Sequence, residues 1–267
     1  MNTLTDREFA CFQQFIGKAA GIHLPPGKKM LVAGRLAKRL KAREVASFGA
    51  YYELLQRPGE QDEAQTAVDL LTTNETYFFR EPKHFELLRK LALEAATGAR
   101  PFRVWSAASS TGEEAYSTAM VLADCLGERP WEVVGTDISS RVVKVARTGL
   151  FPLQRASNLP PAYLKRFCLK GHGEHANSLL VARDLRRRVS FRMANLNETL
   201  PSLGEFDLVF LRNVMIYFNQ QTKREVVRRV IEPLRKGGYL CVGHSESLSD
   251  LDAPLEQVAV SVYRKPV

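Results

Sequence analysis

The sequence predicts an α/β fold built on a mostly parallel sheet, preceded by a small all-helical segment. Three observations predict it. Short apolar segments alternate with helical ones from Phe102 onward, the order that a parallel sheet flanked by helices requires. The segment Phe206-Asp207-Leu208-Val209-Phe210-Leu211 is apolar almost throughout, as a strand in the middle of such a sheet must be. The residues before about position 72 read as a succession of helices.

Asp6 to Ala20 places Phe9, Phe12, Phe15, Ile16 and Ala19 near one face, the 3.6-residue pattern of an amphipathic helix. Leu24-Pro25-Pro26-Gly27 then breaks the chain. A second helix is expected at about 28–41, with Met30, Leu31, Leu36 and Leu40 apolar, and two more around 47–56 and 60–71.

From residue 102 the expected order is a strand at 102–106, a helix at 113–126, a strand at 131–136 and a helix at 139–148. Strands at 189–193 and 206–211 follow, then a helix at about 222–234 that Lys236-Gly237-Gly238 is expected to end, a strand at 239–243 and a last stretch at 258–264. Two connections depart from alternation. The residues between 148 and 189 far exceed the usual connection of about 4–6 residues. Residues 150–188 are therefore expected to form a small inserted subdomain, with Leu179-Leu180-Val181-Ala182 strand-like. The connection 244–257 carries Ser, Asp and Pro and little helical pattern. The last strand is thus expected to return antiparallel, because a parallel return needs a helical crossover. The division read from these patterns is a helical domain at 1–72, a linker at 73–90 and an α/β domain at 91–267.

A chain of 267 residues with 45% hydrophobic content suffices for one large domain, or a small one beside a medium one. No apolar run reaches the roughly 18–20 residues of a membrane span. The start Met1-Asn2-Thr3-Leu4-Thr5-Asp6 lacks an apolar signal core and reads as a helix start, so a cytoplasmic protein without membrane insertion is expected. Cys11, Cys125, Cys168 and Cys241 form no CxxC pair, which fits reduced thiols in that compartment. Cys168, His172 and His175 read C-x3-H-x2-H with no second ligand pair nearby, and no metal site is expected. The net charge of +9 favours an acidic partner, whether nucleic acid, anionic membrane or acidic protein.

The turn after the first sheet strand reads Ser106-Ala107-Ala108-Ser109-Ser110-Thr111-Gly112-Glu113-Glu114. Its small side chains let a ligand approach the backbone, and the following helix N-terminus offers free N–H groups. With Gly112 alone it is not a G-x-G-x-x-G loop, and two acids would repel a pyrophosphate. A ligand with a positive sulfonium and α-ammonium and no phosphate suits Glu113 and Glu114 better. Their plainer role is that of first-turn acids against the helix dipole. The second strand ends in Gly135-Thr136-Asp137, where an acid is placed to accept both ribose hydroxyls, or to cap the next helix.

Four segments resemble one family, the chemotaxis receptor methyltransferases (CheR family). They are Thr73-Asn74-Glu75-Thr76-Tyr77-Phe78-Phe79-Arg80-Glu81, the stretch from Arg103 through Glu114, Asn195-Leu196, and Arg212-Asn213-Val214-Met215-Ile216-Tyr217-Phe218. The resemblance spans nearly the whole chain. It implies a Rossmann-like class I methyltransferase domain with an antiparallel terminal hairpin and an inserted β-subdomain, behind an all-helical domain. It implies S-adenosyl-L-methionine as cofactor and S-adenosyl-L-homocysteine as product. It implies cofactor contacts from Asn74, Thr76, Arg80, Asp137, Asn195, Leu196, Arg212 and Asn213, and from one of the paired glutamates, for which Glu114 is preferred. Ala115 stands where the family often has proline. The implied activity is methyl esterification of glutamates in the cytoplasmic helices of methyl-accepting chemotaxis receptors, by a monomer associated with receptor arrays.

A glutamate with pKa near 4.3 is already ionised at neutral pH, so this reaction needs no general base. Tyr217 follows the apolar strand closely enough to hang over the strand ends and orient a carboxylate, and Arg80 is suited to fixing that carboxylate or the cofactor. These two are the expected catalytic residues. Lys28, Lys29, Arg35, Lys38, Arg39, Lys41 and Arg43 form a run without an acid among them, which repels itself unless a negative partner compensates. The resemblance suggests Arg35, Lys38 and Arg39 as the face that meets acidic receptor helices. A nucleic-acid methyltransferase would share the fold, but Arg212-Asn213-Val214-Met215 stands where an Asn-Pro-Pro-Tyr-like segment would be, so no nucleic-acid partner is expected. A docking module without activity is disfavoured by the presence of Asn74, Arg80, Asp137 and Tyr217.

Overall fold

The computed structural model describes residues 3–98 and 100–267; Met1 and Asn2, read as part of the helix start, lie outside them. The first layer is helical: α1 (Asp6–Ala20), α2 (Lys29–Ala42), α3 (Phe48–Leu55) and α4 (Gln61–Leu71). A capping box starts α1: Glu8 N donates to Thr5 Oγ1 at 3.2 Å and Thr5 N donates to the Glu8 carboxylate at 2.9 Å. The helix ends at Gly21, where φ is +70° and an added Cβ would lie 2.7 Å from Thr222 Cγ2. Glycine there serves both a left-handed turn and a close approach. Phe9, Phe12 and Ile16 are buried, and Phe12 meets Phe48 and Tyr52 edge-on.

The buried stripe of α2 differs from expectation. Val32, Leu36 and Leu40 are buried, whereas Met30 is 81% exposed and Leu31 39%. Spacing by fours defines the face that packs on α4 and α1, and Met30 and Leu31 lie off it. The basic run finds much of its compensation within the chain. Lys29 pairs with Asp6 at 2.7 Å, Arg43 with Glu60 at 2.7 Å, and Arg39 grips the buried Glu63 carboxylate at 2.8 and 2.5 Å. Tyr51 donates to the same carboxylate at 2.7 Å. Burial works to raise the Glu63 carboxyl, but the hydrogen bonds from Arg39 and Tyr51 outweigh it and hold it below the usual carboxylate range.

The second layer begins with α5 (Pro82–Ala95), a helix that the sequence reading left inside a linker and across its boundary at 90. Pro82 at its first turn and the buried Phe85, Leu88 and Ala92 account for it. There follow β1 (Phe102–Ala107), α6 (Glu113–Leu126), β2 (Trp131–Asp137) and α7 (Ser140–Thr148). Then come β3 (Leu150–Pro152), α8 (Pro161–Phe167), β4 (Cys168–Lys170), β5 (Ser178–Val181) and α9 (Arg183–Arg186). The chain finishes with β6 (Val189–Met193), β7 (Phe206–Leu211), α10 (Gln220–Ile231), β8 (Leu234–Val242), β9 (Glu256–Ala259) and β10 (Val262–Arg264).

The main sheet has the order β6-β2-β1-β7-β8-β10-β9. Its first five strands are parallel and the terminal two antiparallel, as the patterns predict. The final stretch is a hairpin rather than one strand. The insertion forms its own antiparallel sheet, β3-β5-β4. The end of α10 also differs from expectation. Asn219 caps α10 by accepting from Thr222 N at 2.9 Å, and Pro233 prevents the helix from reaching residue 234. Gly237 and Gly238 instead lie inside β8, where its register against β7 shifts. Among the described residues no helix is long and apolar enough to cross a membrane.

From β1 the chain winds outward through β2 to β6, then crosses to β7 on the other side of β1. The loops after β1 and β7 therefore leave in opposite directions, opening the crevice in which open α/β sheets bind ligands.

Arg39→Ala is expected to lower the free energy of unfolding by about 3 kcal/mol, since it leaves Glu63 charged, buried and short of its main partner. Urea unfolding measures this. A loss below about 1 kcal/mol would make Arg39 a solvated surface charge.

Candidate active site

The crevice holds a cavity of about 880 Å³, its open mouth included. Its floor is the carboxyl ends of β1, β2 and β7. Ala20, the last residue of α1, and Ile22, just past it, form one wall, and residues 72–76 with Arg80 form another. Ile22 bridges to Phe218, and His23 N donates to the Tyr217 carbonyl at 2.7 Å, which fastens the helical layer to the loop after β7.

The loop after β1 bends sharply: Ala108, Ser110 and Gly112 have φ of +64°, +51° and +99°. Such conformations cost non-glycine residues about 1–3 kcal/mol and persist only when over-determined by surroundings. Here Ser109 N donates to the Thr136 carbonyl at 2.8 Å, Ser110 N to Asp137 Oδ2 at 2.9 Å and Ser110 Oγ to the Asn74 carbonyl at 2.9 Å. Ser109 lines the cavity, and its hydroxyl is buried with no hydrogen-bond partner among the described residues. A buried hydroxyl left so costs about 1–3 kcal/mol.

Asp137, at the tip of β2, accepts from Ser139 N and Ser110 N, each at 2.9 Å. Burial, with the negative charge of Asp69 adding to it, raises the Asp137 carboxyl to about 6 against the pull of these bonds. The paired glutamates part company. Glu113 turns from the cavity, accepting from Thr111 Oγ1 at 2.6 Å and lying 3.4 Å from Arg155. Glu114 lines the cavity and accepts from Ser106 Oγ at 2.6 Å and Arg212 Nη1 at 2.9 Å. Burial raises both carboxyls, with Arg212 opposing the rise at Glu114.

Arg212, itself buried, also pairs with Glu81 at 3.1 Å and donates to the Arg80 carbonyl. Asn213 has φ +58°, and its N–H donates to Glu246 at 2.7 Å. Glu246 also accepts from Gly243 N at 2.7 Å and Ile216 N at 3.2 Å, and so holds the turn Met215–Tyr217. Arg80 donates to the Glu75 carbonyl at 3.1 Å, with its guanidinium 5.7 Å from the Tyr77 ring centre. Asn74 donates to Thr72 Oγ1 at 3.2 Å, and the Thr76 carbonyl accepts from Arg155 at 2.6 Å. The Asn195 side chain donates to the Ala19 carbonyl at 2.7 Å and accepts from Asn197 N at 3.0 Å.

Asn74, Thr76, Arg80, Glu114, Asp137, Asn195, Leu196, Arg212, Asn213 and Tyr217 thus all line this one cavity. The basic residues of α2 stand outside it. Arg35 donates to the carbonyls of Leu71 at 2.8 Å and Thr72 at 3.1 Å, in the neighbourhood of Tyr217. Lys38 is exposed and makes no ion pair among the described residues. Arg39 is committed to Glu63. Sequence reasoning missed Glu81, Asp69 and Glu246, because each acts mainly through partners far away in the chain. Cys168, His172 and His175 do not converge. Glu81, His84 and His244 do, but the Glu81 carboxylate already faces the Arg212 guanidinium.

Residues 7–72 match the family described as "CheR methyltransferase, all-alpha domain", and residues 74–264 that described as "CheR methyltransferase, SAM binding domain". The chain is 41% identical to the "Chemotaxis protein methyltransferase" of Escherichia coli over 265 residues, covering 97% of this chain and 91% of that one. It is 41% identical to the "Chemotaxis protein methyltransferase 2" of Pseudomonas aeruginosa over 263 residues, covering 97% and 93%.

Asp137→Ala is expected to weaken binding of adenosylmethionine about tenfold to hundredfold, because charge-assisted hydrogen bonds contribute about 1.5–3 kcal/mol. The ionised acceptor is present above the raised pKa of Asp137 and lost as pH falls through about 6. Calorimetry should therefore show affinity level near neutrality and above and falling below about pH 6, with the dependence removed in Asp137→Asn. Wild-type affinity unchanged down to about pH 5 would remove Asp137 from the ribose.

Proposed function

The chain belongs to the CheR methyltransferase family and is an S-adenosyl-L-methionine-dependent methyltransferase, and we propose that it methyl-esterifies glutamate side chains in the cytoplasmic helices of methyl-accepting chemotaxis receptors. The observation that carries this reading is one cavity at the crossover of the sheet, where Asp137 and Glu114 share walls with Arg80 and Tyr217. A cofactor with ribose hydroxyls and two positive centres fits that donor set, and its sulfonium, when bound, supplies a methyl whose C–S bond breaks with both electrons passing to sulfur.

The residues of the chain divide the remaining work. Asp137 accepts from the ribose hydroxyls, and Glu114 offers negative charge that Arg212 only partly offsets. Arg80, tethered at the Glu75 carbonyl, sits on the rim with a guanidinium able to hold a carboxylate. The Tyr217 hydroxyl orients the same carboxylate so that one oxygen points at the methyl carbon. The substrate carboxylate is ionised at neutral pH, so no residue takes a proton, and catalysis consists of orientation and exclusion of water.

The approach to the cavity supports a helical, acidic partner. Arg35 stands near Tyr217, and α2 also exposes Lys38, Lys41, Met30 and Leu31. Arg39 contributes to this face by holding α2 on α4 rather than by meeting the receptor. On this reading the protein works in the cytoplasm as a monomer at receptor arrays.

Tyr217→Phe keeps the ring and removes one hydrogen bond. Cofactor affinity should stay near wild type while receptor methylation slows tenfold to a thousandfold, about 1.4–4 kcal/mol of transition-state stabilisation. Arg80→Ala should damage both. A Tyr217→Phe enzyme with full turnover would remove the hydroxyl from the mechanism. The docking face is tested separately. Lys38→Glu with Lys41→Glu should leave cofactor binding intact and sharply reduce receptor methylation. Wild-type activity should fall with added salt, since exposed charges are screened over about 8–10 Å near 0.1 M. Undiminished methylation by the double variant would return these lysines to a solvated face.

A further inference from the structure

Gln65 and Asp69 lie one turn apart on α4, and both reach across to the start of α7. Gln65 Nε2 donates to the Ile138 carbonyl at 3.0 Å and to Asp69 Oδ1 at 2.8 Å. Asp69, buried, accepts from Ser140 N at 2.9 Å, Ser140 Oγ at 2.6 Å and Arg141 N at 3.1 Å. The first amides of a helix have no partner inside it. In α7 the local cap, Ser139 Oγ, reaches only Val142 N, at 3.4 Å. The two amides before it are satisfied by an aspartate from another layer, 71 positions from Ser140. Asp69 makes no ion pair among the described residues. A buried carboxylate is costly unless fully hydrogen-bonded, so its place over the α7 terminus is narrowly defined.

The stretch held in this way begins at Asp137. One Asp137 oxygen accepts from Ser139 N and the other from Ser110 N in the loop after β1. Between Asp137 and α7 lies only the backbone of Ile138 and Ser139, clamped at the Ile138 carbonyl by Gln65 and at Ser140 by Asp69. We infer that Asp69, supported by Gln65, is a positioning residue for the cofactor, fixing residues 138–141 and through them the aim of Asp137 at the ribose hydroxyls. The inference rests on the reading of Asp137 as the ribose acceptor. It makes the helical layer part of the cofactor site through a contact that does not touch the cofactor.

The test compares S-adenosylhomocysteine with its 2′-deoxyribose counterpart by calorimetry on the full chain. Wild type should prefer the ribose form by about tenfold to hundredfold, the effect of one hydrogen bond to a charged acceptor. Asp137→Ala should erase the preference. Asp69→Ala should reduce it about threefold to tenfold, and a residue that only stabilises the fold would lower the melting temperature without changing the ratio. If Asp69→Ala does not fold, Asp69→Leu carries the same measurement, since it keeps side-chain bulk and offers no acceptor to Ser140 N or Arg141 N. A full wild-type preference in the Asp69 variant, with the preference erased in Asp137→Ala, overturns the inference and leaves the cofactor reading standing. A preference that survives Asp137→Ala overturns both.

Discussion

The buried guanidinium of Arg212 is the contact on which the site depends. It stands between two carboxylates, Glu114 at the start of α6 and Glu81 before α5, and donates to the Arg80 carbonyl. Three chain segments with no local reason to meet are thereby fixed around the end of β7. Removing one partner of a buried pair typically costs about 3–5 kcal/mol, and here two carboxylates would be left facing each other. Glu81 itself has φ +56°, a conformation that its bonds to Arg212, Asn213 and His244 N hold in place. Arg80 gains its place on the rim from that arrangement.

The helical layer adds what the sheet lacks. A sheet crossover opens a crevice on one side only, and Ala20, Ile22, Thr72 and Thr73 close it from outside. The Asn195 bond to the Ala19 carbonyl and the His23 bond to the Tyr217 carbonyl tie these walls to the two loops that carry site residues. The positive charge of α2 is kept orderly by Asp6, Glu60 and Glu63, so part of the basic run serves packing and part remains free.

Local chemistry was legible in the sequence. The helix start before Asp6, the buried strand Phe206–Leu211 and the alternation of strands and helices each act within a few residues, and each appears where the pattern puts it. The site residues that share the cavity were reached by a resemblance of motifs, together with the position of Asp137 at a strand tip. What escaped was set by distant partners. Met30 is apolar yet exposed because neighbouring helices cover only the Val32–Leu36–Leu40 stripe. Arg39 read as a docking charge because Glu63, its partner, is 24 positions away. Glu246 sits in a polar connection without periodicity, and only its three backbone donors reveal its role. The misread end of α10 is different in kind: Pro233 was visible, and its missing N–H outranked the glycines that follow.

The walls contributed by Ala20 and Ile22 bear on how such a protein can be rearranged in a genome. A segment encoding only the α/β half would carry Asp137, Arg212 and Tyr217 intact and still inherit a pocket open on one side, with the Tyr217 and Asn195 loops missing their tethers. Transplanting that half onto an unrelated partner would therefore leave the cavity without the wall that Ala20 and Ile22 supply, and the two loops without their anchors.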